Sequence, residues 1–136
     1  MTAWLYQMAE DESWTPESYR LAVWEGKDVT WEHKKIMAKG GAEPQAGEPL
    51  ILFFAPSRTK AKGICGWAVI LKRYAKRGEI TFRAVPPTDR LKMSPIWDSD
   101  VEELVNSVRG PHPRGTLWQM SDAHYAAFCG RILKSS

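Results

Sequence analysis

The 136-residue sequence predicts an α+β fold built on a curved, mostly antiparallel sheet with flanking helices. Three observations predict it. The unbroken apolar run LILFFA at 50–55 calls for a strand covered on both faces. Tyr125, Phe128, Cys129 and Ile132 recur at i, i+3, i+4 and i+7, which is one face of an α-helix. The elements run strand, helix, strand, loop, several strands, helix, short strand, helix, with the strands too close together for repeated βαβ units.

The first element is a strand over Ala3–Met8, apolar at Trp4, Leu5, Tyr6 and Met8 and stopped by Glu10, Asp11 and Glu12. Thr15 as cap, Pro16 at the first helical position and the early Glu17 then start a helix that carries Tyr19, Leu21, Ala22 and Val23 and ends at Gly26. Val29, Thr30 and Trp31 favour extended backbone, and the polar, glycine-bearing stretch 39–49 reads as a loop. Pro56 closes the strand at 50–55. Residues 63–74 form a further strand in which Gly66 marks a bulge or a close backbone approach.

Ile80, Phe82 and Ala84 alternate with Thr81 and Arg83, so 79–85 pairs antiparallel with 63–74 across Lys76-Arg77-Gly78, and Pro86-Pro87 ends it. Ser99 and Glu102 stand at capping-box spacing ahead of Leu104, Val105 and Val108, which predicts a helix from Ser99 that breaks before Gly110-Pro111. A short strand at 116–120 follows, and Ser121 caps the terminal helix.

Length and composition fit one domain over residues 1–136: 43% of residues are hydrophobic and 26% charged, as in an ordinary globular protein. Nineteen Lys and Arg against sixteen Asp and Glu give a net charge of +3, too mild an excess for a protein that coats duplex DNA. The basic residues are clustered, with Arg58, Lys60 and Lys62 in one stretch and Lys72, Arg73, Lys76 and Arg77 in another. Cys65 and Cys129 lie in apolar patterns without C-x-x-C spacing, so they read as small buried hydrophobes in a reducing compartment, and a cytoplasmic location is expected. The opening residues lack the basic start and apolar run of a secretory signal, and no apolar stretch approaches the twenty or so residues that span a bilayer.

Catalysis needs a nucleophile with a base, paired carboxylates or metal ligands at defined spacings, and the sequence supplies none of these patterns. His33, His112 and His124 fall on unrelated segments without H-E-x-x-H or H-x-E motifs, and no G-K-S or G-K-T follows the glycines at 63 and 66. The expectation is a non-enzymatic chain with no cofactor and no metal. What the sequence does supply is aromatic surface beside basic loops. Seven tryptophans are too many for a domain of this size to bury fully. Of Trp4 and Trp67 at least one is expected to be structural. Trp31 with Glu32, His33, Lys34 and Lys35, then Phe53-Phe54-Ala55-Pro56-Ser57-Arg58, then Trp67, form a constellation suited to stacking on an extruded base while cations hold its phosphates. The same aromatics would also serve as the core of a curved sheet.

The opening WLYQMA, the Trp-containing segment 29–35, the GEPLILFF block at 47–54 and the GICGWAVI block at 63–70 resemble, in that order, the EVE domain. The likeness extends through ITFRAVPPTD at 80–89 to Arg114-Gly115-Thr116 and the terminal helix. The resemblance implies a PUA-like curved barrel, related to YTH and ASCH domains, that holds a modified base in an aromatic pocket. It implies a pocket lined by Met8, Trp31, Glu32, Phe54, Ala55, Pro56, Ser57 and Trp67, with Met8 as its floor. Lys34, Lys35, Arg58, Lys60, Lys62 and Arg114 would then contact the nucleic-acid backbone. The expected ligand is a methylated or hydroxymethylated base in DNA or RNA, flipped out of its stack. A sensor for a free nucleoside or another planar metabolite is the alternative, and a nuclease of the ASCH kind ranks last for want of a catalytic pattern. A partner enzyme on another chain would act after recognition.

Overall fold

The computed structural model of the chain describes residues 2–8, 25–33, 35–54, 63–84, 96–110 and 115–134. Among these, β1 (Ala3–Met8), β2 (Asp28–Glu32), β3 (Ile36–Met37), β4 (Pro49–Phe54), β5 (Gly63–Tyr74), β6 (Glu79–Ala84) and β7 (Leu117–Met120) form one sheet, joined by helices α1 (Ser99–Arg109) and α2 (Asp122–Lys134). The strand order is β2-β6-β5-β4-β1-β7-β3. The β1–β4 and β3–β7 pairings are parallel and the others antiparallel.

Chain connectivity forces this sheet to curl. Its two edge strands, β2 and β3, are consecutive in sequence, and Glu32 and Ile36 are four residues apart, a reach of at most about 14 Å. A flat sheet would hold its outer strands six spacings apart, about 29 Å. The result is a half-barrel with an inner and an outer face, each apolar. Trp4, Tyr6, Met8, Leu50, Leu52 and Phe54 point inward among a core that also includes Cys65, Ile70, Ile80 and Phe82. Leu5, Ile51, Phe53 and Trp118 point outward and are covered by Val101 and Val105 of α1 and Phe128 and Ile132 of α2. The period of two along β1 and β4 therefore divides one apolar run between two cores, as the LILFFA run predicted for β4.

Gly66 marks a bulge, as its place in the strand suggested. The β4–β5 register shifts between Leu52, opposite Gly66, and Phe53, opposite Ile64, and Gly66 has φ 147°, in the region that favours glycine. At the start of the same strand Ile64 exchanges backbone hydrogen bonds with Ile96, at 2.9 and 2.8 Å. A Cβ on Gly63 would stand 2.7 Å from the Ile96 carbonyl carbon, so only glycine allows that approach.

The helices begin one residue away from, or at, their expected caps. In α1 the cap is Asp98 and not Ser99: its carboxylate accepts the Val101 N–H at 3.0 Å and also pairs with Arg131 of α2. Asp98 does both jobs because a carboxylate has more acceptor sites than a hydroxyl. The Val101 N–H and the Arg131 guanidinium hold its pKa below the usual carboxylate range. In α2 the Ser121 hydroxyl accepts the His124 N–H at 3.1 Å, as the sequence indicated. The stretch 39–49 holds a 3₁₀ turn at Lys39–Gly41 and, at its end, Glu48, whose carboxylate accepts the Trp4 indole N–H at 3.1 Å and the Thr2 N–H at 3.2 Å. β3 was not anticipated, since two residues are too few to show a period. Of the helix expected over 15–26, residues 15–24 lie outside the described residues, and Gly26, its expected end, sits in a turn with φ 64°.

Trp4 is buried with its one polar atom satisfied, so it is a structural residue. Trp4→Ala is expected to lower the unfolding free energy by about 3–5 kcal/mol, measured by denaturant titration at constant m-value.

Candidate functional site

β2 is an edge strand, hydrogen-bonded only to β6 among the described strands, with Trp31 opposite Ile80 and Glu32 opposite Glu79. Its alternation sends Val29 and Trp31 inward onto the inner core and leaves Asp28, Thr30 and Glu32 exposed. Trp31 is thus partly buried, packing on the inner core from the edge strand.

Polar groups fix the end of β2 where it turns toward β3. The Tyr6 hydroxyl, reaching from β1 through the inner core, donates to the Glu32 carbonyl oxygen. Burial, and then the Glu32 carboxylate, push the Tyr6 phenol well above its ordinary pKa, so it remains a donor at physiological pH. The His33 N–H donates to the Gly78 carbonyl at 2.7 Å, tying the junction to the β5–β6 turn. The His33 ring is buried, and its Nε2 accepts the Arg73 Nε–H at 3.4 Å while Arg73 pairs with Glu43 at 2.9 Å. The Lys35 carbonyl then accepts the N–H groups of Thr116 and Leu117 at 2.8 and 3.1 Å, leading the chain onto β7.

Met8, Phe54 and Trp31 belong to or pack on the same inner core. Met8 and Phe54 are register partners at the ends of β1 and β4, and both are fully buried, so they lie beneath the surface and not along it. Trp67 departs from the expectation: it stands opposite Ile51 and packs in the outer core, so the sheet itself separates it from Trp31. The bulge at Gly66 and strand alternation send the two indoles to opposite faces. Glu32 and Lys35 are exposed beside the junction. Lys34, Ala55, Pro56, Ser57, Arg58, Lys60, Lys62 and Arg114 lie outside the described residues. Sequence reasoning missed Tyr6, His33 and Arg73; the signal available was the Tyr6 hydroxyl in a strand expected to be buried, since a buried hydroxyl needs a partner. Among the described residues no group of three or more His, Cys, Asp or Glu side chains is gathered as a metal site would require, and no helix is long and apolar enough to cross a membrane.

The fold defined by these elements is an α+β half-barrel with two helices on its outer face. The sequence matches no protein-family model and no curated protein. Solved structures nonetheless share the fold over nearly its full length. Human THYN1, in complex with DNA containing 5-methylcytosine, superposes with a TM-score of 0.61 at 10% identity, over 97% of this chain and 98% of that one. A hypothetical protein from Leishmania major gives 0.59 at 13% identity, over 98% and 96%. A Pseudomonas putida protein gives 0.58 at 12%, over 96% and 99%. At these identities the likeness establishes the shared fold.

The junction makes stability depend on pH. Burial, and then the Arg73 guanidinium, lower the His33 pKa, with the Glu43 carboxylate opposing them. As pH falls, the unfolded chain binds this proton first, so the stability carried by neutral His33 is complete above roughly pH 6.5 and lost between there and the lower folded value. The expected slope is at most about 1.4 kcal/mol per pH unit for the one proton. Thermal unfolding between neutral and mildly acidic pH should show a smaller loss for His33→Gln than for the unaltered chain.

Proposed function

We propose that this chain is a non-enzymatic, EVE-type module that binds DNA or RNA and holds one modified base against Trp31. The observation that carries this reading is the placing of Trp31, a partly buried indole on an edge strand packed against the inner core, in a fold shared with a protein solved on 5-methylcytosine DNA. An indole packed on the core in this way is already held in one orientation, so little side-chain entropy is lost when a base stacks on it. A methyl group on the base adds buried apolar surface, about 0.8 kcal/mol per carbon. Flipping the base out of its strand costs unstacking energy, which the stacked indole offsets.

In this reading Tyr6 and His33 are positioning residues. They hold the Glu32–His33 peptide, one at its carbonyl and the other through its N–H, and so the end of the strand that carries Trp31, without touching the base. The exposed Glu32 carboxylate supplies an acceptor at the polar edge, suited to an exocyclic amino group. Lys35, with Lys34, Arg58, Lys60, Lys62 and Arg114, would hold phosphates, a contact that fixes register without reading sequence.

Two measurements test the reading. Oligonucleotides that differ only in the modification should bind unequally to the unaltered chain. Trp31→Ala should weaken binding of the modified strand by about 5- to 150-fold, the equivalent of one aromatic stack, while the melting temperature stays within a few degrees. Unchanged preference in Trp31→Ala overturns the assignment. Separately, replacing Arg58, Lys60 and Lys62 by Ala should weaken all strands alike and reduce the slope of log affinity against log salt by about 2 to 3. Binding that hardly responds to salt in the unaltered chain would favour a free nucleoside as ligand instead.

A further inference from the structure

The outer face of the sheet, away from Trp31, carries a concavity. A cleft of about 640 Å³ opens between the β3–β7 edge, the C-terminus of α1 and the first turn of α2. Met37, Trp118 and Met120, which belong to the outer core, form its apolar wall. Its polar lining includes Lys39, Arg109, Ser121 and His124, and no described residue lining it is a carboxylate.

Arg109 is the unusual member. Its terminal nitrogens donate to Gln7 Oε1 at 3.0 Å and to Asn106 Oδ1 at 3.1 Å, both neutral amides. Its Nε is buried and has no acceptor among the described residues. Guanidinium carries five N–H donors and stays charged, so two neutral acceptors leave most of its hydrogen-bonding capacity unused. A partly buried charge without a counter-ion is costly, and an anion beside it would offset that cost. Burial alone already depresses the Arg109 pKa, which agrees with a cation lacking a nearby carboxylate.

We propose that this cleft binds the phosphate group of a nucleotide-sized ligand, with Arg109 and Lys39 supplying charge and Ser121 and His124 supplying hydrogen bonds. Four donor side chains from three segments, two of them cationic, suit the three acceptor oxygens and the higher charge of a phosphate. The start of α2, a 13-residue helix, adds the positive end of its dipole, with the exposed Asp122 in that turn outside the lining. Lys39 is held in place through its own N–H, which donates to Gln119 Oε1 at 2.9 Å. The cleft volume falls within the range of small-molecule sites, so the apolar wall can take the group attached to the phosphate. This site does not depend on base reading at Trp31, because the sheet separates the two.

The test is an NMR titration of the ¹⁵N-labelled chain with inorganic phosphate, a nucleoside 5′-monophosphate, and an unmodified single-stranded oligonucleotide without terminal phosphates. Saturable shifts at the amides of Lys39, Gln119, Ser121 and His124 are expected with at least one probe. Lys39→Gln should weaken that binding by about fivefold or more with the spectrum otherwise preserved, and Arg109→Lys should weaken it too, since an ammonium cannot reproduce the two-pronged contact. Saturation by phosphate and the monophosphate identifies a free ligand, and saturation by the oligonucleotide alone identifies a backbone phosphodiester; either supports the site. Absence of saturable shifts at these amides with all three probes, or undiminished affinity in Lys39→Gln, overturns it.

Discussion

The constraint on which the molecule depends is the short link between its two edge strands. β2 and β3 stand at opposite ends of the strand order, yet only residues 33–35 join them. The sheet has to curl until those edges approach, and the curl creates an interior. Once an interior exists, the polar atoms caught in it need partners. The Tyr6 hydroxyl and the Glu32 carbonyl satisfy one another across it, and the His33 N–H with the Gly78 carbonyl ties the same junction to the β5–β6 turn. The curl and these bonds together set where β2 lies, and β2 sets where Trp31 lies.

Curling also makes β4 and β1 central, with an apolar layer on each side. Their outward side chains would be exposed without α1 and α2, so the helices complete the outer core. The Asp98–Arg131 pair links the two helices at the point where α1 begins. This pair is partly exposed, so its contribution is modest compared with the apolar burial beneath it.

The two faces therefore carry different chemistry. Inside, the apolar core carries the partly buried Trp31 indole on its edge strand β2. Outside, the helix ends and the β3–β7 edge bring cationic and hydroxyl groups around a cleft, a surface suited to an anion. Trp67 shows how sharply the sheet divides them: it is close to the Phe53-Phe54 segment in the strand pairing, yet it packs under the helices. Shared sequence composition does not put aromatic residues into one site when the strand period alternates their direction.

The amino-acid sequence by itself determined those features that depend on local order. The LILFFA run specified a strand covered on both faces, Gly66 specified the bulge, the Ile80-Phe82-Ala84 alternation specified the hairpin, and the pattern ending at Ile132 specified the terminal helix. Each is legible because hydrophobic period, backbone freedom and capping act over a few residues. It also picked out Trp31 as the aromatic beside charge. Tertiary structure alone decided that Tyr6 would meet Glu32, that His33 would be buried against Arg73, and that Arg109 would reach Gln7 across a separation of 102 residues. It alone decided that Trp67 would face away from Trp31, and that Asp98 rather than Ser99 would cap α1. These outcomes depend on the curl of the sheet, on the register at its bulges and on which side chains the curl brings face to face, and no pattern of neighbours along the chain encodes them.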